Sequence, residues 1–426
     1  MFIENIKKGL NNEEIEELVN FYLKQFSNIK KILIIHPDYT RIDFSHILAP
    51  IVCNKLKKIG VQAIHFLCAS GTHRNMSQAE KLVKLGLKNN SEHFSFHNHE
   101  YDNKDKLVKV GEISKSSVNS KTSGMISAAI PVEVNKLIFS DFDLIIAMSS
   151  TVPHESVGYS GGLKTFFPGI AGPEVLDLFH WVAVLIGLPE IIGSFENPAK
   201  DIINEGAFYI FKKIKKPIIS FNMIIRKDKG RINPTSLFVG EGYYGFRESH
   251  TRASITSEKV HTIFTDKPLK RVVQVIPECF DELWTAAKGS YKLQKEGVLE
   301  KGSEIIIYAP HIKCLHSNKK METQLKKVGY HCREFILNKL KSNPDLNKNI
   351  ASHIINVCGS GEFNLKTGIE KPNYRIKLAT GISKEECEEI GLGYYDHKKI
   401  NKKDFSSVDS LWIEDGGFYL YKLKQD

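Results

Sequence analysis

The sequence predicts an α/β fold, built as two α/β domains with the active-site cleft between them. Three observations carry this. Apolar runs of strand length alternate with stretches of helical periodicity, polar loops follow the strands, and the alternation restarts near residue 268. With 426 residues, 42% of them hydrophobic and 25% charged, the chain can bury more than one core. The expected division is 1–267 for an N-terminal domain holding the polar loops and 268–426 for a smaller C-terminal domain that closes the cleft.

Lys31 to Asp38 (KILIIHPD) reads as a buried strand, because apolar and β-favouring residues run up to a Pro-Asp break. Phe44 to Ile59 carries apolar residues at helical spacing and stops at Gly60, a residue suited to a helix end. The run VQAIHFLCAS is a second strand that leads into Gly71-Thr72-His73-Arg74, and Ser77 to Leu85 is a further helix. DLIIAM is another buried strand and delivers the chain to the loop Val152 to Lys164. In the second half, RVVQVIPE and EIIIYAPH read as strands flanking the helical ELWTAAKGSYKLQKEG, and HIINVCGS reads as one more strand. Ligands in open α/β sheets sit beyond the carboxyl ends of strands, so the loops Asp38 to Arg41, Ser70 to Arg74 and Thr151 to Lys164 are expected to converge on one cleft.

The formal charge of +10 suits an anionic partner. Lysines are interspersed with acids, however, and the nearest approach to a basic run, Lys212 to Lys216 (KKIKK), is short and aromatic-poor. That pattern describes a solvated face and predicts no nucleic-acid partner. No stretch of about 20 apolar residues occurs, so no membrane partner is expected. The N-terminus lacks the apolar core of a secretory signal, and the seven cysteines are scattered without a C-x-x-C pair. Both point to a cytoplasmic protein with reduced thiols.

The stretch TVPHESVGYSGGLKTFFPGIAG holds the densest chemistry. A Ser160-Gly161-Gly162 turn between a strand and a helix can present successive backbone N–H groups to an anion, phosphate above all, and Lys164 adds a charge or a nucleophilic amine. The alternative is a tight turn with a surface lysine. His154 and His180 bracket the turn, each able to bind a metal or move a proton near neutral pH, although His180 in an apolar stretch also reads as a core histidine. After the first strand, Asp38, Thr40 and Arg41 offer either a carboxylate or phosphate clamp or an Asp-capped turn. Thr72, His73 and Arg74 carry the same ambiguity. His97 and His99 lie in HNHEYDNKD, a loop that could contribute to a zinc site if a third ligand were near.

Taken in order, HPDYTR, ASGTHR, NHEYDNKD, PHESVGYSGGLKTFFPGIAG and His180 resemble the nickel-pincer lactate racemase family. The resemblance covers most of the first 250 residues and continues more loosely into the second domain. It implies a 2-hydroxyacid racemase or epimerase that uses nickel held in a pyridinium mononucleotide with sulfur-bearing arms. By this resemblance Lys164 is the covalent tether and His180 the protein ligand to nickel. Ser160, Gly161 and Gly162 cradle the nucleotide phosphate, and Asp38, Thr40, Thr72 and Arg74 line the cofactor. Arg41 meets the substrate carboxylate. His99 and His154 act as the two acid/base groups on either side of a planar 2-oxo acid. The implied partners are a small anionic 2-hydroxy acid and the proteins that make and load the cofactor.

Two departures bear on the substrate. Leu163 stands where the family often has arginine, and Glu282 stands near the place of a substrate-holding lysine, which would favour lactate's longer or polyhydroxylated relatives. The rival readings are an α/β enzyme binding another phosphorylated cofactor non-covalently, and a zinc-dependent hydrolase using His97, His99 and His154.

Overall fold

The computed structural model describes residues 1–88, 91–228 and 230–424. The chain forms two compact units, one of Met1–Pro153, Gly158–Phe179 and Phe195–Val260, the other of His154–Val157, His180–Ser194 and His261–Asp426. The last crossing falls at Val260 rather than at 267, and two short segments of the N-terminal half, including His154 and His180, go with the second unit.

A seven-stranded sheet forms the centre of the first unit. Its order is Phe2–Glu4, Arg231–Glu241, Ile218–Asp228, Leu144–Ser150, Lys31–Pro37, Ala63–Ala69 and Phe94–Asn98. The last five run parallel, with Ile35 opposite both Ala147 and Leu67, and Asn222 opposite Ser149. Ile32 to Ile35 are buried, as a central parallel strand covered on both faces requires. The two remaining strands are antiparallel: Arg231–Glu241 pairs with Ile218–Asp228, and Phe2–Glu4 with Arg231–Glu241.

Local signals set the helices. Ser45–Lys58 stops before Gly60, whose φ is +90°. Gln78–Leu85 starts from a capping box of Ser77 and Glu80 and ends at Gly86 in the left-handed region, where a Cβ would meet the His46 carbonyl.

The second unit has a five-stranded parallel sheet in the order Gly393–Tyr394, Tyr374–Thr380, Leu299–Ala309, Leu269–Val275 and Ser410–Ile413. Its core joins Ile305, Ile307 and Leu378 of the sheet to Leu283, Ile350 and Ile354 of the helices. One expectation is corrected here. HIINVCGS is not a strand: its apolar residues close the helix Lys348–Cys358, which Asn347 caps and Gly359 ends. The segment ELWTAAKGSYKLQKEG forms two short helices, Leu283–Ala286 and Lys288–Tyr291. All seven cysteines are free. No helix among the described residues is long and apolar enough to cross a membrane.

Candidate active site

The five parallel strands of the first unit end on one side of its sheet, and three of these ends form a pocket. Pro37, Ala69 and Met148 to Ser150 line it from the strands, and Arg41, Ser160, Gly161, Lys164, Thr165 and Gly169 from the loops that follow. The three loops are tied together by backbone contacts such as Gly71 N–H to the Gly169 carbonyl at 3.1 Å. Two cations thus share one pocket with serine hydroxyls and a glycine backbone, which is the donor set of an anion site. Among the described residues the Arg41 guanidinium makes no hydrogen bond, so its fork is available to a ligand.

Asp38 turns away from that role. Its carboxylate accepts hydrogen bonds from Thr40 N–H at 2.7 Å, Thr40 Oγ1 at 2.6 Å and His73 Nδ1 at 2.9 Å. Burial alone would raise its pKa. The charge and hydrogen bond of His73, with Arg41 and Thr40, outweigh burial and hold the carboxyl well below the usual carboxylate range. Asp38 and Thr40 therefore build the loop that carries Arg41. Asp38 was expected to line the cofactor and His73 to stand in the neighbouring loop, but their pairing was not foreseen.

The depressed pKa has a consequence for stability. The stabilisation from ionised Asp38 is present above its unfolded pKa and is lost as pH falls below it. We expect Asp38→Asn to cost about 2 kcal/mol at neutral pH. The difference between variant and wild type should shrink in acid, as read by unfolding at a series of pH values. A difference that stays constant from neutral pH to pH ~3 would contradict this assignment.

The neighbouring loop is also engaged. Arg74 bonds Glu80 at 2.8 Å and lies 4.1 Å from the centre of the Tyr39 ring, while Thr72 is half-buried in the same turn.

In the Ser160-Gly161-Gly162 turn, both glycines have positive φ, +87° and +57°. A Cβ on Gly161 would lie 3.0 Å from Ser149 Oγ and Thr151 Oγ1, and one on Gly162 would lie 2.5 Å from His250 Cγ. Glycine is therefore required at both positions. The donors are not all turned to the pocket. Gly162 N–H donates to Asn222 Oδ1 at 3.2 Å, and Ser160 Oγ donates to the Ser150 carbonyl at 2.8 Å. Ser160 and Gly161 line the pocket, with the Gly162 N–H held beneath.

His99 is 1% exposed. Its Nε2 donates to the Ala171 carbonyl at 2.9 Å, and Nδ1 faces the Asn135 amide at 3.3 Å. Burial pushes its pKa down to about 4, so the ring is neutral at pH 7. His97 instead bonds His65 at 3.1 Å, ring stacked on ring. No group of three or more His, Cys, Asp or Glu among the described residues could hold a metal, so the zinc reading finds no assembled ligand set.

In the second unit, His154 is buried, with its Nδ1 3.1 Å from the Ser156 backbone nitrogen and 3.5 Å from Glu155 Oε2. His180 is half-buried on the helix Pro173–Ile186; the pKa of His353 is lowered by burial first, then by His316 and His180. Glu282 is buried, with one carboxylate oxygen engaged and Oε1 making no hydrogen bond among the described residues. Its carboxylate accepts the Ser317 N–H at 2.6 Å, beside His316. The same segment holds a buried lysine six positions on, Lys288, with Nζ 4.9 Å from the centre of the Phe280 ring.

Residues 4–187 match the family model described as the lactate racemase N-terminal domain. The chain is 28% identical over 207 residues to a lactate racemase of Thermoanaerobacterium thermosaccharolyticum, covering 48% of this chain and 44% of that protein. It is 28% identical over 184 residues to a lactate racemase of Lactiplantibacillus plantarum, covering 42% and 38%. The match thus spans less than half the length of either relative. A crystal structure of a Thermotoga maritima protein superimposes with a TM-score of 0.96 at 46% identity, covering 99% of this chain and 100% of that one. The lactate racemase apoprotein of T. thermosaccharolyticum shares the fold, with a TM-score of 0.65 at 19% identity over 98% and 91% of the two chains.

Proposed function

Residues 4–187 match the lactate racemase N-terminal domain, and from that match we propose that the chain is an enzyme of the lactate racemase family that inverts the C2 centre of a 2-hydroxy acid. One observation carries the reading: Arg41, Lys164 and the Ser160-Gly161 turn line a single pocket at the carboxyl ends of parallel strands. That pocket fits a phosphate-bearing cofactor, because a Cβ at Gly161 would crowd its wall and two cations oppose the charge of an anion. Lys164 would hold a nickel-pincer pyridinium mononucleotide covalently, and His180 would be the protein ligand to its nickel. A metal carried largely by its cofactor needs only one such ligand. When bound, the group supplies a ring that takes a hydride from C2 and returns it.

The chain's own residues do the rest. Arg41 clamps the substrate carboxylate bidentately, on a loop that Asp38 and Thr40 keep in shape. Thr72 and Arg74 support the loop beside it, and Gly162 anchors the turn from below. His99, neutral at working pH, accepts the hydroxyl proton once its ring exchanges the Asn135 contact for the substrate. His154 returns a proton for the opposite hand.

The test is chiral analysis of a panel of 2-hydroxy acids with protein co-produced with the cofactor-making and loading proteins. Each enantiomer of the true substrate should relax to a mixture. A loaded protein, verified by added mass on a Lys164 peptide, that inverts no member of the panel would overturn the proposal.

A further inference from the structure

Beneath the glycine turn lies a buried polar network that no step above uses. Asn222 is fully buried in the apolar strand Ile218–Asp228, opposite Ser149. Its Oδ1 accepts from Ser149 Oγ at 2.7 Å and from Gly162 N–H at 3.2 Å, and its Nδ2 donates to Ser249 Oγ at 3.1 Å. The next residue along the helix Gly242–His261 is His250, which approaches the turn from its own side. The Nε2 of His250 donates to the Ser160 carbonyl at 2.8 Å, and its ring occupies the space a Gly162 side chain would need. Burying an amide and an imidazole is costly unless their hydrogen bonds are made, and here they are spent on two backbone groups of one turn.

We propose that His250 and Asn222 are positioning residues of an anion site: they hold the Ser160 carbonyl and the Gly162 N–H away from the pocket, so that the Gly161 backbone and Lys164 line it. Without these anchors the Ser160 carbonyl is released to turn toward the pocket and repel a phosphate. The inference rests on the reading of the pocket as the cofactor's phosphate site, and it concerns the protein without cofactor. His250 stays neutral over the working range, because burial pushes its pKa down to about 3, so the anchor is not a pH switch.

The experiment is titration of the cofactor-free full chain with inorganic phosphate, followed by calorimetry and by the ring N–H resonance of His250. Wild type should bind phosphate and shift that resonance. His250→Phe keeps the ring volume without the donor and should weaken phosphate binding by about tenfold, the equivalent of one lost hydrogen bond. His250→Gln restores a donor and should recover most of the affinity, whereas His250→Phe also loses some thermal stability, so phosphate binding is compared at a temperature where both variants are folded. Equal affinity in His250→Phe and wild type, or a His250 resonance in wild type that phosphate leaves unmoved, overturns the positioning role. Wild type that binds no phosphate overturns the anion-site reading itself, and the inference with it. A His250→Phe chain that does not fold leaves the resonance of the wild-type ring to decide.

Discussion

Lys164→Ala is expected to abolish both the covalent adduct and the inversion of substrate. The side chain lines the pocket beside the Ser160-Gly161 turn, and its backbone N–H and carbonyl bond Gly161 and Gly169, so alanine removes the amine without unmaking the loop. If the amine is the tether, activity falls to the uncatalysed level, a loss on the order of 10⁶-fold or more. Lys164→Arg separates tether from charge. A guanidinium answers a phosphate well but does not replace the nucleophilic amine, so the arginine variant should be as inactive as alanine. Mass analysis of the Lys164 peptide provides the direct check, and an arginine variant with near wild-type turnover would show that the lysine acts as a point charge.

The second large effect is expected at the two imidazoles. His99→Ala and His154→Ala should each lower inversion by about 10² to 10⁴-fold, the range of a positioned acid or base, while nickel stays bound. His180→Ala should behave differently, with nickel lost on dialysis and activity lost in proportion. Metal content and chiral turnover measured on the same preparations distinguish the two patterns. Inversion at wild-type rate in both acid/base variants would rule out the two-base scheme. Because His99 is already neutral at pH 7, the wild-type rate should hold on mild acidification and fail only as pH approaches its lowered pKa of about 4.

Much of the first unit was legible because parallel strands buried on both faces are written as unbroken apolar runs. Lys31–Pro37 and Ala63–Ala69 fall within the runs expected, Leu144–Ser150 runs two residues past the expected DLIIAM, and the polar residues at and after these strand ends supply the pocket. The helix Lys348–Cys358 was misread for the same reason. Asn349 to Cys358 are all buried, so no polar face reveals the helical period, and a short apolar run looks like a strand. In the site, Arg41 and Lys164 announce themselves as cations after strands. Asn222 sits inside an apolar strand and His250 in a helix without a motif, and their partners are backbone groups distant in sequence. Only Asn222 carried a signal, as a single amide in IISFNMII. The partner of Glu282 was not legible, because it is the Ser317 main-chain N–H, which no residue code records.

The cysteines acquire a meaning from this chemistry. Burial is the first cause of an upward pKa shift at Cys53, Cys68, Cys314, Cys332, Cys358 and Cys387, reaching about 12 at Cys53 and Cys332. A thiol binds a soft metal only after losing its proton. Raising the pKa adds the cost of removing that proton to any metal binding, so each of these sulfurs is a poorer seat for a soft ion than an exposed thiol would be; if the chain takes its nickel inside a cofactor, as proposed, that cost works against loading of the bare ion elsewhere.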